Sequence, residues 1–188
     1  MNFKHKIFLL SFLIFSCSFF VRSDYKDNYF RAIIREVKDG DTIRVEIITN
    51  FSSLNLSNNF YIVRLLYIDT PEVEENSRFE RFVDRIYKKG NYLKRDKILY
   101  LGMLAKSNLC SLLKEDTIVK VCLFETNFFD IYGRILGVVF LNSTNINLFQ
   151  IETGYGICYF YNNRPIREYK QAEKKAKLRK LGIWKYID

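Results

Sequence analysis

The chain has 188 residues, with 30 Lys plus Arg against 21 Asp plus Glu, a formal charge of +9, four Cys and 48% apolar content. That length fits one domain, or one domain behind a leader; 17 Phe and 13 Tyr supply a core and exclude wholesale disorder, while two Pro and eight Gly exclude collagen-like and Pro-rich spacers. The single histidine is His5, inside the leader described next, so a processed chain is expected to lack imidazole. Its chemistry must then run on carboxylates, Arg, Lys, Tyr or a hard metal, not on a His triad or a His-ligated zinc.

Residues 1–23 begin with Lys4 and Lys6, continue as an apolar run from Ile7 to Val21 broken only by Ser and Cys, and turn polar at Arg22. This is the pattern of an export signal peptide. The run is shorter than the roughly 20 residues of a spanning helix. Two processing routes are open: release before Asp24, with Val21 and Ser23 at the small-residue positions, or lipidation of Cys17, because Leu13-Ile14-Phe15-Ser16-Cys17 resembles a loose lipobox. Either way the sequence predicts an exported protein, secreted, periplasmic or envelope-associated. Loss of residues 1–23 removes three basic residues and no acid, which lowers the charge from +9 to +6. A basic exported domain suits an anionic partner, nucleic acid or a membrane surface. Cys110, Cys122 and Cys158 are odd in number and widely spaced, which argues against a disulfide framework; Cys122 and Cys158 read as small buried hydrophobes in strand-like runs.

The predicted elements of the domain, residues 24–188, follow in order. Residues 29–49 are β-like, with Ile43, Val45 and Ile47 alternating against Arg44 and Glu46. An Asn- and Ser-rich stretch at 50–59 reads as a hairpin loop, and a third strand at 60–68 stops at Asp69-Thr70-Pro71. A charged insertion of about 73–98 carries at most a short helix near 79–87. A helix at 99–114 follows, with Leu101, Ala105, Leu109 and Leu112 as its buried stripe. Strands at 117–124, 134–142 and 156–161 and a short helix at 147–153 come next, and a last helix begins at Pro165 and ends before Gly182. Short strands first, with helices between and after them, predict an α+β, mainly β chain: a small barrel with packed helices rather than a βαβ sheet.

Three segments can carry chemistry, and each has a plainer reading beside it. Asp39-Gly40-Asp41-Thr42 is either an ordinary hairpin turn or, because Asp41 shares the face of Ile43 and Val45, an inward carboxylate that calls for a compensating cation. The run from Val63 to Glu72 is either a core strand with an exposed Arg64 and an acidic turn, or the source of a second hard ligand, Asp69, that shares one Ca²⁺ with Asp41, the Thr70 carbonyl and water. The second reading has a geometric demand. Residues five apart face opposite ways on a regular strand, so Arg64 and Asp69 can meet only through a bulge, strong curvature or an early strand end. Asp130-Ile131-Tyr132-Gly133-Arg134 is a turn with a surface Arg, or, joined to Arg64, a pair of guanidinium forks for phosphate oxygens. Tyr159 and Tyr161 lie two apart; they either fill the core or present a face for stacking on bases.

Together these segments resemble the staphylococcal nuclease (thermonuclease) family. The likeness runs in order from about Val37 to Tyr186, through Asp39-Gly40-Asp41-Thr42, Arg64-Leu65 to Glu72, Asp130 to Arg134, Tyr159-Phe160-Tyr161-Asn162-Asn163, and Lys175-Ala176 to Leu181-Gly182-Ile183-Trp184. The resemblance implies a five-stranded oligonucleotide-binding (OB-fold) barrel with about three packed helices, and a Ca²⁺-dependent phosphodiesterase acting on DNA and RNA. It implies that Asp41, Asp69 and the Thr70 carbonyl hold the calcium, that Arg64, Glu72 and Arg134 are catalytic, and that Tyr132 and Tyr159 contact the nucleotide. In-line attack by water would release the 5′ oxygen and leave 3′-phosphate ends. No obligate protein partner is implied. The chain departs from the pattern at Ile131, where a Lys is common, and in its longer stretch from Val73 to Tyr100, in which Lys88, Lys89, Lys94 and Arg95 offer replacement cations or a solvated charge run. Loss of Arg64 or Arg134 is expected to spare the fold and suppress turnover. Two rivals have other functions: a nucleic-acid-binding barrel without turnover, and a surface lipoprotein whose barrel binds a partner.

Overall fold

A computed structural model describes residues 28–49, 58–88, 93–123, 128–160 and 165–186, with side chains as far as Arg85 in the second segment. The leader with Cys17, Tyr161, residues 50–57 of the hairpin loop and the side chains of Lys88 and Lys89 lie outside the described residues. In chain order the elements are β1 (Tyr29–Val37), β2 (Thr42–Thr49), β3 (Phe60–Leu65), β4 (Ile68–Asp69), α1 (Ser77–Lys88), α2 (Arg95–Leu112), β5 (Ile118–Cys122), β6 (Ile135–Leu141), β7 (Thr144–Asn145), α3 (Ile146–Glu152), β8 (Ile157–Cys158), α4 (Arg167–Leu178) and a 3₁₀ turn (Gly182–Lys185).

Five of these strands close into a barrel. β1 pairs antiparallel with β2 and with β5, β2 pairs with β3 and β5 with β6, and β3 meets β6 in parallel with Val63 opposite Ile135. Register shifts in β1 between Arg31 and Ala32 and between Ile34 and Glu36 supply the curvature that closure requires. Alternation does the rest: Phe30, Ala32 and Ile34, Ile43 and Val45, Val63 and Leu65, Val119 and Val121, and Ile135 and Val139 all point into one core. This closed barrel with helices is the OB-fold architecture that the sequence predicts, with four helices among the described residues where the resemblance implies about three. The fourth is α1, in the charged insertion where the sequence reading allows a short helix near 79–87.

Outside the barrel, a second cluster joins Phe79, Phe82 and Val83 of α1 to Ile98 and Leu101 of α2, Ala176 of α4, and Ile183 and Trp184. The stripe predicted for the long helix is observed, with Leu101, Ala105 and Leu109 buried and Leu112 partly so. The helix starts earlier than predicted, at Arg95, because its first turn, Arg95-Asp96-Lys97, carries no apolar period. Gly102 is obligatory in it. A Cβ there would stand 2.1 Å from the carbonyl oxygen of Glu72, so only glycine lets α2 press against that loop. Among the described residues no helix is long and apolar enough to cross a membrane.

Candidate nucleic-acid cleavage site

One rim of the barrel gathers the charged residues. The strand parity that separated Arg64 from Asp69 is broken by Tyr67, which takes a left-handed backbone with φ of 70°. For a bulky residue that conformation costs about 1–2 kcal/mol, and packing holds it: the Tyr67 ring meets Tyr169 edge-on at 5.8 Å and Phe160 at 6.2 Å. β3 therefore ends at Leu65, the chain turns, and Asp69 comes back over Arg64. The guanidinium of Arg64 bridges both acids, with Nη1 2.7 Å from Asp41 and Nη2 2.8 Å from Asp69.

Asp41 is buried, as its parity predicts. It accepts hydrogen bonds from the Thr70 amide at 2.8 Å, the Thr70 hydroxyl at 3.0 Å and the Thr42 hydroxyl at 3.1 Å. Its own amide donates to Asp39 at 3.0 Å, which fixes the Asp-Gly turn. Burial pushes the Asp41 carboxyl well above the usual carboxylate range; Arg64 opposes this, and Asp39, Asp69 and Glu72 reinforce it. Glu72 is also raised, by burial first and then by Asp39, against the pull of Arg78 and Arg64.

Across the opening, the turn before β6 presents Arg134. Asp130 organises this turn by accepting from the amides of Tyr132 and Arg134, both at 2.9 Å, while Gly133 supplies the positive φ of 74°. The same carboxylate accepts from Arg134 Nε at 2.7 Å. Arg134 Nη1 is left buried with no hydrogen-bond partner; the only other such side-chain atom among the described residues is Trp184 Nε1. Arg134 also lies beneath the Tyr132 ring at 5.5 Å. A cleft of about 500 Å³ runs between the two rims, lined by Arg64, Asp69, Glu72, Tyr132, Arg134 and Tyr159 among others. Asp41 and Thr70 sit behind this lining. Tyr159 lies just beyond β8, its amide donating to the Tyr67 carbonyl at 2.9 Å, and Ile131 is 91% exposed at the edge.

Two sets of residues here escaped the sequence reading. The first is a row on α1: Arg78, Arg81 and Arg85 line the cleft. Their spacing of three and four residues, with Phe79, Phe82 and Val83 on the other side, was the available signal. The candidates Lys94 and Arg95 do not line it. Arg95 is held by Glu75 at 2.7 Å and Glu80 at 2.6 Å, which secures α1 to the start of α2. The second set is Asn147 and Gln150 on α3, both fully buried. Asn147 Nδ2 donates to the carbonyl of Leu66 at 2.9 Å, and Gln150 Nε2 donates to the carbonyl of Gly40 at 2.6 Å. One short helix thus anchors both acid-bearing turns, and buried amides three apart on an apolar helix were its sequence signature.

The oxygen donors Asp41, Asp69 and Thr70 suit a hard cation chemically. Among the described residues, no group of three or more His, Cys, Asp or Glu is disposed as a metal site, and the two aspartates are bridged by Arg64 instead.

These elements define an OB-fold domain with a charged cleft on its rim. The chain belongs to the staphylococcal nuclease homologue family, whose profile matches residues 62–186. It is 29% identical over 170 residues to an uncharacterized protein of Methanocaldococcus jannaschii, covering 87% of this chain and 75% of that one. It is also 28% identical over 155 residues to an uncharacterized protein of Bacillus anthracis, covering 80% of this chain and 59% of that one.

Proposed function

We propose that the protein is a Ca²⁺-dependent phosphodiesterase that hydrolyses DNA, and RNA as well, to 3′-phosphate ends. The single observation that carries this reading is the buried, unpartnered Nη1 of Arg134 in a cleft that also holds Arg64 and Glu72. A buried N–H without an acceptor costs about 1–3 kcal/mol, and a phosphate oxygen is the acceptor that a planar guanidinium fits best.

A phosphodiester is an anion, and attack by water adds charge to its equatorial oxygens. Arg64 and Arg134 meet that charge as preorganised donors in a partly desolvated site. Asp130 holds the Arg134 plane and Asp41 with Asp69 hold the Arg64 plane, so little reorganisation is needed in the transition state. Asp41, Asp69 and the Thr70 carbonyl would hold Ca²⁺, which supplies Lewis-acid polarisation of the phosphate when bound. Glu72 takes the proton of the attacking water; burial raises its pKa, which makes it a stronger base than a free Glu. The bond from water oxygen to phosphorus forms as the bond to the 5′ oxygen breaks, and the departing 5′ oxygen takes a proton from solvent to become the 5′-hydroxyl. Tyr132 and Tyr159 flank the nucleotide, and Tyr161 is proposed to do so too. We also propose export by the leader at 1–23, cleaved before Asp24 or lipidated at Cys17, which mass spectrometry of the processed N-terminus resolves.

The test is a digest of single-stranded DNA by the purified protein, with Ca²⁺ and with excess chelator. Wild type is expected to cut only with the ion, and Arg134→Ala to lose about 10²–10³-fold in kcat with its unfolding midpoint nearly kept. Undiminished cutting in chelator overturns the metal assignment. Binding without any cutting leaves a nucleic-acid-binding barrel.

A further inference from the structure

We propose that α1 forms a second phosphate subsite, in which Arg81, flanked by Arg78 and Arg85, grips the phosphate next to the scissile one along a single nucleic-acid strand. The proposal rests on the cleft being the nuclease site described above. Helical spacing places the three arginines on one face while Phe79, Phe82 and Val83 bury the other. From Arg78 to Arg85 the row advances about 10 Å along the helix axis, longer than one phosphate group.

The three side chains are engaged unequally. Arg78 reaches Glu72 at 3.4 Å. Arg85 pairs with Asp69 and lies over the Tyr159 ring at 4.5 Å, a charged and aromatic platform of the kind that receives a base beside its phosphate. Arg81 lines the cleft, is exposed, and has no ion pair or hydrogen bond among the described residues. The charge balance points the same way. Among the described residues the lining holds five arginines, Arg64, Arg78, Arg81, Arg85 and Arg134, against Asp69, Glu72 and Asp130, with Asp41 behind it on Arg64. The surplus left after four carboxylates is positive, which suits an anion.

The experiment measures equilibrium binding of a fluorescein-labelled oligothymidylate of about eight nucleotides, in excess chelator, across a salt series. Each phosphate contact on a single strand contributes about 0.7 to the slope of log affinity against log salt. Arg81→Ala is expected to lower the slope by about that amount and to weaken binding roughly 10-fold at low salt. Arg81→Lys, which keeps the charge, is expected to restore most of the slope. Lys114→Ala, an equal loss of charge at an exposed site away from the cleft lining, is expected to leave it unchanged. An unaltered slope in Arg81→Ala, or an equal fall in Lys114→Ala, overturns the subsite. Because the readout is binding, it stands apart from the nuclease reading, which fails independently if wild type cuts nothing in Ca²⁺.

Discussion

On the barrel side of the cleft Arg64 is 6% exposed and bridges two carboxylates, one of them locked by Thr70 and Thr42. On the helix side Arg78, Arg81 and Arg85 stand near solvent, and their carboxylate partners, where they have them, belong to the barrel side or the loop after it. Charges of the first kind are bound into the fold, because removing one leaves its neighbours buried and uncompensated. Charges of the second kind are screened by water and add little to stability. One wall is therefore fixed by the requirements of folding, and the other is open to change in what it grips.

The sharpest way to break this contrast is Arg64→Ala. With the guanidinium gone, Asp41 is left buried without a cation and Asp69 keeps only Arg85, and the loss is expected to be about 3–5 kcal/mol in addition to the loss of cleavage. The sequence reading expects the fold to be spared, whereas the buried pairing predicts a cost; urea unfolding decides between them, and a midpoint equal to that of wild type would refute the coupling. Arg134 pairs with Asp130 alone, and that carboxylate keeps the amides of Tyr132 and Arg134 as donors, so removal of the Arg134 side chain is expected to cost less. Gly102→Ala comes next. A methyl at 2.1 Å from the Glu72 carbonyl oxygen must push α2 or the loop aside, with an expected cost of about 1–3 kcal/mol and at least a 10-fold fall in turnover, because Glu72 moves with its backbone.

The smallest effect belongs to Glu152 on α3, away from both walls. Its carboxyl is raised above the ordinary 4.5 by burial and by Glu168, against Lys175. The folded chain thus binds that proton more tightly than the unfolded chain, and stability falls as pH rises from 4.5 through the raised value. Glu152→Gln is expected to be more stable than wild type at neutral pH by a fraction of about 1 kcal/mol, with the difference gone in acid below the ordinary carboxylate range. Thermal melts at two pH values read this directly.

The barrel strands were legible because alternation writes a two-residue period directly into the sequence, and Asp41 was placed correctly by the same rule. The meeting of Arg64 and Asp69 was foreseen only as a requirement. What satisfies it, a left-handed Tyr67 held by Tyr169 and Phe160, depends on residues far apart in the chain and on a backbone state that tyrosine rarely takes. The row on α1 was readable from its spacing, yet dense charge around it hid the apolar half of the helix. Asn147 and Gln150 were passed over because a buried amide is recognised by its partners, and those carbonyls belong to other elements.

The underside of α1 shares its packing with Ile183 and Trp184, about a hundred positions later. Those two residues are held in place where the backbones of Gly154 and Gly182 touch so closely that a Cβ on Gly182 would lie 2.4 Å from the Gly154 carbonyl oxygen. In a chain emerging from the ribosome, the barrel therefore has all its strands while the arginine row still rests on Ile98 and Leu101 of α2 alone, before Ala176, Ile183 and Trp184 complete its bed. A protease nick just before Gly182 would cut the covalent tie between the outer handhold and Ile183 and Trp184.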